Sequence, residues 1–370
     1  MTIGTEHEYS INDSRFTAQP VSDQILREIC GRYESEILFG EVKLGKELQK
    51  TVLEMIPKHP VEELSALEAQ LVKGMARFNR IFGSRYHLLG LGMHPTARPA
   101  DIPVWDHDEG EYYAVYDRLF NIRQHGWLNI QALQINLSYA DGKHLVSQYN
   151  RIRTLLPYLI AVTASSPMVE GRLTGSCDNR LRYYRANQEE IPLICDRIVP
   201  GAIRSVADYR SVQEQVFSEL RSRDAEILCE EWVNSSGLII RFSRKCLEIK
   251  ALDEQECIRS DMAVCAFVRS LLRCRSLPVE TDHEALLALT EEAISRGTAA
   301  CRPELESLYK AAWTHATRDE RTFLPVIHDR IAHGSLAERI HDRVSGGEEI
   351  MQVLADMATA LRTNQPYISE

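Results

Sequence analysis

The chain has 370 residues, 44% of them hydrophobic and 26% charged, with a formal net charge of −10. That length buries one large core or two closely packed ones, and the composition excludes a disordered or fibrous chain. The acidic balance argues against a nucleic-acid binder, which needs basic surface to displace counterions, but leaves nucleotides open, because a local patch or a metal can hold a triphosphate.

In chain order, residues 2–11 (TIGTEHEYSI) alternate apolar and polar with β-branched residues and predict a short strand. Residues 21–35 predict a helix, and 36–42 and 51–57 further strands. Residues 61–82 carry apolar positions at helical spacing and stop before Gly83, which predicts a helix. Residues 86–93 (YHLLGLGM) suit a buried strand, Pro95, Pro99 and Pro103 mark an irregular loop, and 112–123 read as helix. Residues 131–139 alternate as a strand that ends at the Asp141-Gly142 turn signal, and a long helix runs from 143 to 164, stopped by Ser165-Ser166-Pro167. Residues 168–206 are polar, irregular and rich in arginine; a loop of that length in a compact domain points to function or disorder. A helix at 208–222 and a β-hairpin or bent strand pair at 237–252 follow. From residue 259 the pattern is almost wholly helical, at about 260–275, 282–297, 302–317, 323–333 and 346–362. The sum is an α+β fold: a core over 1–275, and a helical part over 276–370 packed on the same domain.

Nine cysteines, an odd count with no CxxC pair, read as free thiols of a reducing compartment rather than a zinc ribbon or disulfide framework. No charged-then-apolar leader and no apolar run of membrane-spanning length occur, so the expectation is a cytoplasmic protein with no membrane association. Neither GxxxxGK[ST] nor GxGxxG is present. Cys246 and Cys257 show no partner base for a catalytic thiol, and Trp105, Trp127, Trp232 and Trp313 read as packing residues.

The acidic residues carry the chemistry. Glu6 and Glu8 are two apart and share one strand face; Glu54 sits inside TVLEMI; Glu248 sits inside CLEIKAL with Lys250 on the same face; Gln134, Asn136 and Ser138 share a face of QALQINLSY. A carboxylate in an apolar strand is costly to bury, and two charges 4 Å apart repel by about 4 kcal/mol at an effective dielectric near 20. A divalent cation relieves that repulsion, and Mg²⁺ prefers oxygen ligands. Each glutamate taken singly reads as a solvated strand-face residue before it reads as a ligand.

Five segments in order resemble the glutamate–cysteine ligase type 2, or carboxylate–amine ligase, family. They are Gly4-Thr5-Glu6-His7-Glu8, Glu47-Leu48-Gln49 leading to Glu54, Gly92-Met93-His94-Pro95, Ser165-Ser166-Pro167 with Glu170-Gly171-Arg172-Leu173-Thr174-Gly175, and Leu247-Glu248-Ile249-Lys250-Ala251-Leu252-Asp253. The similarity covers residues 4 to about 275 and is looser beyond. It implies a glutamine synthetase-like fold, in which an antiparallel sheet curves into a funnel with helices outside. It also implies an ATP-dependent ligase that makes an amide bond through an acyl phosphate, with Mg²⁺ or Mn²⁺ as metal. Its substrates would be a small carboxylate, glutamate or another amino acid, and an amine. By the same resemblance Glu6, Glu8, Glu47, Glu54 and Glu248 are expected as metal ligands. Lys250 and Arg172 are expected to be catalytic, and Gln134, Asn136, Arg180 and Arg241 to hold nucleotide or substrate. Glu47 and Glu54 lie seven apart, so Glu47 needs a turn or bulge to reach the face of Glu54.

Two departures stand out. Relatives often carry histidine where this chain has Gln134-Ile135-Asn136, and arginine where it has Lys250, which neutralises phosphate as a point charge without a bidentate fork. They motivate an alternative, a catalytically reduced member acting as a nucleotide or amino-acid sensor. The run CDNRLRYYRANQ, residues 177–188, is read as a loop gripping a polar amino-acid substrate, with a solvated surface helix as the alternative. A homodimer is the expected assembly.

Overall fold

The computed structural model describes residues 1–195, 197–277 and 279–368. Its strands are β1 (Ile3–Asn12), β2 (Glu36–Phe39), β3 (Val42–Lys46), β4 (Val52–Pro57), β5 (His87–Leu89), β6 (Ala132–Ser138), β7 (Met168–Val169), β8 (Arg172–Leu173), β9 (Leu238–Arg241) and β10 (Cys246–Asp253). Eight of them form one antiparallel sheet in the order β2-β3-β4-β1-β6-β10-β9, with β5 also paired to β1; β7 and β8 make a separate small hairpin.

The alternation of β1 sets the layers. Ile3, Thr5, His7, Tyr9 and Ile11 point to one face, where Leu53 and Met55 of β4, Leu133, Ile135 and Leu137 of β6 and Leu247 and Ile249 of β10 join them, all at most 1% exposed. The helix Ile258–Arg273 lies on this core side and is buried along nearly its whole length. It packs against the helices Leu64–Phe82, Gly142–Thr163, Arg302–His315 and Leu324–His333. A single apolar cluster runs from Ile3 to Leu361, so the late helices share the core of the sheet.

The structure departs from the sequence reading at four places. Residues 36–42 are not one strand: Gly40, with φ of 73°, turns the chain, and β2 and β3 form a hairpin. The strand expected over 86–93 ends at Leu89, because Gly90 and Gly92 press against other backbone and side chains: a Cβ on them would stand 2.1 Å from the Gln255 carbonyl oxygen and from the Asp253 carboxyl carbon. Residues 168–206 hold β7, β8 and a helix, Asn179–Tyr184, capped by the Asp178 side chain on the Leu181 N–H. The last predicted helix is preceded by a separate one, Leu336–Ser345, started by a capping box between Ser335 and Glu338, and then begins at Ile350.

A buried ion pair ties the C-terminal helices to the end of β10. Arg330 donates from Nη2 to both oxygens of Glu256, at 2.6 and 2.7 Å, and Glu256 also accepts from the Tyr367 N–H at 2.9 Å. Removing one partner of such a pair strands the other charge in the core. Glu256→Gln is therefore expected to lower the unfolding free energy by about 3–5 kcal/mol in urea denaturation; an unchanged midpoint would show that the attachment does not depend on this charge.

Candidate functional site

Strand register gathers the acidic residues. In an antiparallel pair, directly opposed residues project to the same face. Glu8 opposes Glu54, Glu6 opposes Gln134, and Asn136 opposes Glu248, so three glutamate-bearing strands and the amide-bearing β6 present one polar face. Glu47 follows β3 two residues after Gly45, which itself opposes Glu54. The β3–β4 turn, not a bulge, brings the odd-spaced pair to a common side.

A bulge is nevertheless decisive elsewhere. The pairing of β10 with β6 slips by one residue between Ile249 and Leu252. Glu248 opposes Asn136 and Asp253 opposes Ala132, so two residues five apart in sequence share a face that a regular strand would deny them.

The side chains on this face are tied to one another. Glu8 accepts from the Ala132 N–H at 2.8 Å and from Gln134 Nε2 at 2.9 Å, and Glu6 accepts from Asn136 Nδ2 at 3.0 Å. The amides expected to hold cofactor thus orient carboxylates through their NH₂ groups. Arg241 reaches Glu248 at 2.6 Å, Lys250 lies 3.7 Å from it, and Arg244 pairs with Glu6. The Oε1 of Glu248 is buried with no hydrogen-bond partner. Burial, reinforced by the neighbouring glutamates, pushes Glu47 up to about 8 and Glu54 well above the usual carboxylate range. Burial also raises Glu8, against the lowering by its two donors. Burial opposes the charge on Lys250, but Tyr184 and Glu248 hold its ammonium above the ordinary value.

Arg180 belongs to the support beneath the face. It is 1% exposed; its Nε donates to Asp253 Oδ1 at 2.7 Å, and both terminal nitrogens donate to the Lys250 carbonyl. Asp253 in turn accepts from the Ser165 N–H at 2.9 Å and the Ser166 hydroxyl at 2.8 Å, and the Gly92 N–H donates to the Ser165 hydroxyl. His94 donates from Nε2 to Asn12 Oδ1 at 2.7 Å while its Nδ1 accepts from the Ala97 N–H, and burial lowers it to about 4, so it is a neutral latch. On the far side of β1, His7 sits 3.2 Å from Glu254 and 3.3 Å from Asp261 with all three fully buried; burial opposes its charge, yet the two carboxylates raise it to about 10.

A cavity of about 240 Å³ opens beside the face, lined by Glu8, Glu47, Gln134, Arg180 and Lys250 and by the rings of Tyr113, Tyr116, Trp127 and Trp232. Tyr184, Asn187 and Gln188, from the 177–188 run, also line it. The structure therefore brings together Glu6, Glu8, Glu47, Glu54, Glu248, Gln134, Asn136, Lys250, Arg180 and Arg241. It does not bring Arg172, which is exposed on β8, to this face. The sequence reading also missed Arg244, although it lies in the turn that joins β9 to the acidic β10. It took Trp127 and Trp232 for packing alone, and Trp313 is 42% exposed rather than packed. Cys246 donates to Asn136 Oδ1 and burial pushes its thiol up to about 12, which suits a structural thiol. No helix among the described residues is long and apolar enough to cross a membrane.

The sequence profile of glutamate-cysteine ligase family 2 matches residues 2–355. A protein of Archaeoglobus fulgidus described as uncharacterized is 46% identical over 370 residues, covering 99% of this chain and 100% of that one. A bifunctional glutathione synthetase from Pasteurella multocida superposes with a TM-score of 0.67 at 14% identity, covering 98% of this chain and 52% of that one, so this chain spans about half its length. A glutamate–cysteine ligase from Francisella tularensis, solved in complex with AMP, gives 0.64 at 12% identity, covering 100% and 89%. These likenesses establish the fold, the glutamine synthetase-like ligase fold anticipated from the sequence.

A carboxyl whose pKa is raised on folding holds a proton that the unfolded chain has lost. It therefore weakens stability above that pKa, and the loss is recovered as pH falls toward the unfolded value. In metal-free protein, wild type is expected to gain stability relative to Glu47→Gln between pH 8 and 6.5, by at most about 1.4 kcal/mol per pH unit. Parallel urea titrations at each pH check the sign.

Proposed function

The chain belongs to glutamate-cysteine ligase family 2, and from that premise we propose that it is an ATP- and Mg²⁺-dependent carboxylate–amine ligase acting on glutamate or another amino acid. Family and fold support the coarser reading, a carboxylate–amine ligase, directly. One observation carries the finer one: five glutamates from three separate stretches of chain meet on a single sheet face beside Lys250 and Arg241.

The donor set fits a hard divalent cation. Glu6, Glu8, Glu47, Glu54 and Glu248 are oxygen donors; Glu47 and Glu54 are held well above their ordinary pKa by burial and neighbouring glutamates, and Glu248 keeps a buried oxygen without a hydrogen bond, 3.7 Å from the Lys250 ammonium. Mg²⁺ bound there would supply charge neutralisation for the triphosphate.

In this reading the substrate carboxylate attacks the γ-phosphorus of ATP, ADP leaves, and the amine then displaces phosphate from the acyl phosphate. Such a transfer needs positioning and charge neutralisation more than covalent help. Lys250 and Arg241 place positive charge beside Glu248 for the transferred group. Arg180, through the Lys250 carbonyl and Asp253, holds the bulge that aims Lys250. Gln134 and Asn136 fix the rotamers of Glu8 and Glu6. Residues 1–275 form the catalytic core in this reading, with residues 276–370 as its helical buttress.

ADP release is expected only when carboxylate, amine and MgCl₂ are all present. In Glu248→Gln it is expected to fall by a factor of about 10² or more, the scale of several kcal/mol of lost charge stabilisation. Wild-type turnover in Glu6→Gln or Glu248→Gln would overturn the assignment.

A further inference from the structure

Glu6 is held by two donors that meet on one oxygen. Asn136 Nδ2 donates to its Oε1 at 3.0 Å, and the Arg244 guanidinium donates to the same atom. In the ligase reading Glu6 is one of the carboxylates that bind Mg²⁺. The neutral amide of Asn136 is compatible with a metal there. The guanidinium is not, because two cations crowded on one carboxylate repel, so metal entry works against the Arg244 contact.

The two arginines of the β9–β10 hairpin are held differently. The Arg241 side chain is 12% exposed, lies 2.6 Å from the buried Glu248 and has a second carboxylate, Glu231, at 3.9 Å. The Arg244 side chain is 49% exposed and comes no closer than 4.0 Å to Glu248. Water screens a pair as open as Arg244 with Glu6, so that contact is cheap to break. The backbone beneath it is fixed. Residues 242–245 form a turn closed by the Lys245 N–H on the Phe242 carbonyl at 3.2 Å, and the Ser243 hydroxyl donates to Glu231 at 2.7 Å. The long side chain can therefore leave Glu6 while the turn stays in place.

A triphosphate arrives with anionic oxygens at the moment the metal claims Glu6. Lys250 meets such oxygens as a point charge, whereas a guanidinium offers parallel N–H donors that fit a phosphate. Resting on the ligase reading, we propose that Arg244 is a placeholder cation: it neutralises Glu6 in the metal-free protein and, when metal and nucleotide enter, exchanges Glu6 for the triphosphate, which its guanidinium contacts directly. Its terminal nitrogen already stands at a metal-binding carboxylate, so phosphates held by that metal are within its reach. The same residue then has opposite effects on the two ligands, opposing the metal alone and favouring the metal–nucleotide complex.

The test measures two affinities on the full chain by calorimetry: MnCl₂ without nucleotide, and a non-hydrolysable ATP analogue in saturating MgCl₂. Arg244→Gln is compared with wild type and with Lys245→Gln, which removes the same charge from the next residue of the same turn. In Arg244→Gln, Mn²⁺ alone is expected to bind about threefold tighter or more, and the analogue about tenfold weaker or more, the scale of one charge-assisted hydrogen bond. Lys245→Gln is expected to leave both affinities near wild type. If wild type binds both ligands, any other pair of signs in Arg244→Gln, or the same pair in Lys245→Gln, would overturn the exchange and leave the ligase reading standing. If wild type binds neither Mn²⁺ nor the analogue, the ligase reading falls, and this proposal with it.

Discussion

Repulsion among carboxylates on one sheet face is the constraint around which the molecule is organised. Glu47 and Glu54 lie in the field of Glu6 and Glu8, and Glu248 is buried on the same face. Every neighbour compensates: amides donate to Glu6 and Glu8, arginines pair with Glu6 and Glu248, and Glu47 and Glu54 lean toward their protonated forms. A protein selected only for stability would place apolar or neutral residues at such positions. Strain of this kind, concentrated in a cavity, is a mark of a site built to receive positive charge.

What keeps the face in shape lies behind and beside it. Ser165, Ser166 and Gly92 converge on Asp253; Asp253 holds Arg180; Arg180 holds the carbonyl of Lys250. Two of the family-like segments, Gly92 to Pro95 and Ser165 to Pro167, thus serve the site as scaffolding rather than as ligands. Behind β1, His7 lies between Glu254 and Asp261, and Glu254 also accepts from the Glu8 N–H, so the strand carrying two of the glutamates is anchored by charge on its core side as well. Gly92 shows the tightness of this packing: any Cβ there would collide with the Asp253 carboxylate.

Cations and aromatic rings both border the face. Arginines gather where the hairpin of β9 and β10 closes, and aromatic rings gather where β6 meets the segments around Trp127 and Trp232. The 177–188 run is neither a free loop nor a surface helix. Its first turn is buried against Asp253, and its far end turns Tyr184, Asn187 and Gln188 toward the cavity.

Local pattern was enough for part of this. Alternation in residues 2–11 and 131–139 identified β1 and β6 and put Glu6 with Glu8, and Gln134 with Asn136, on common faces, because side-chain direction along a strand depends only on parity. Apolar spacing identified the long helices for the same reason. Register, by contrast, is a relation between strands: that Glu8 meets Glu54, that Glu47 joins them through a turn, and that a slipped residue in β10 sets Asp253 on the face of Glu248 follow only once the strands pair. The roles of Arg244, Trp127 and Trp232 were hidden likewise, since an arginine in a turn or a tryptophan in a polar stretch has no partner until the chain is folded. Sequence alone determined which residues could carry charge on a common face; tertiary structure decided which of them meet, because contact between distant segments is a property of pairing and packing that no local spacing contains.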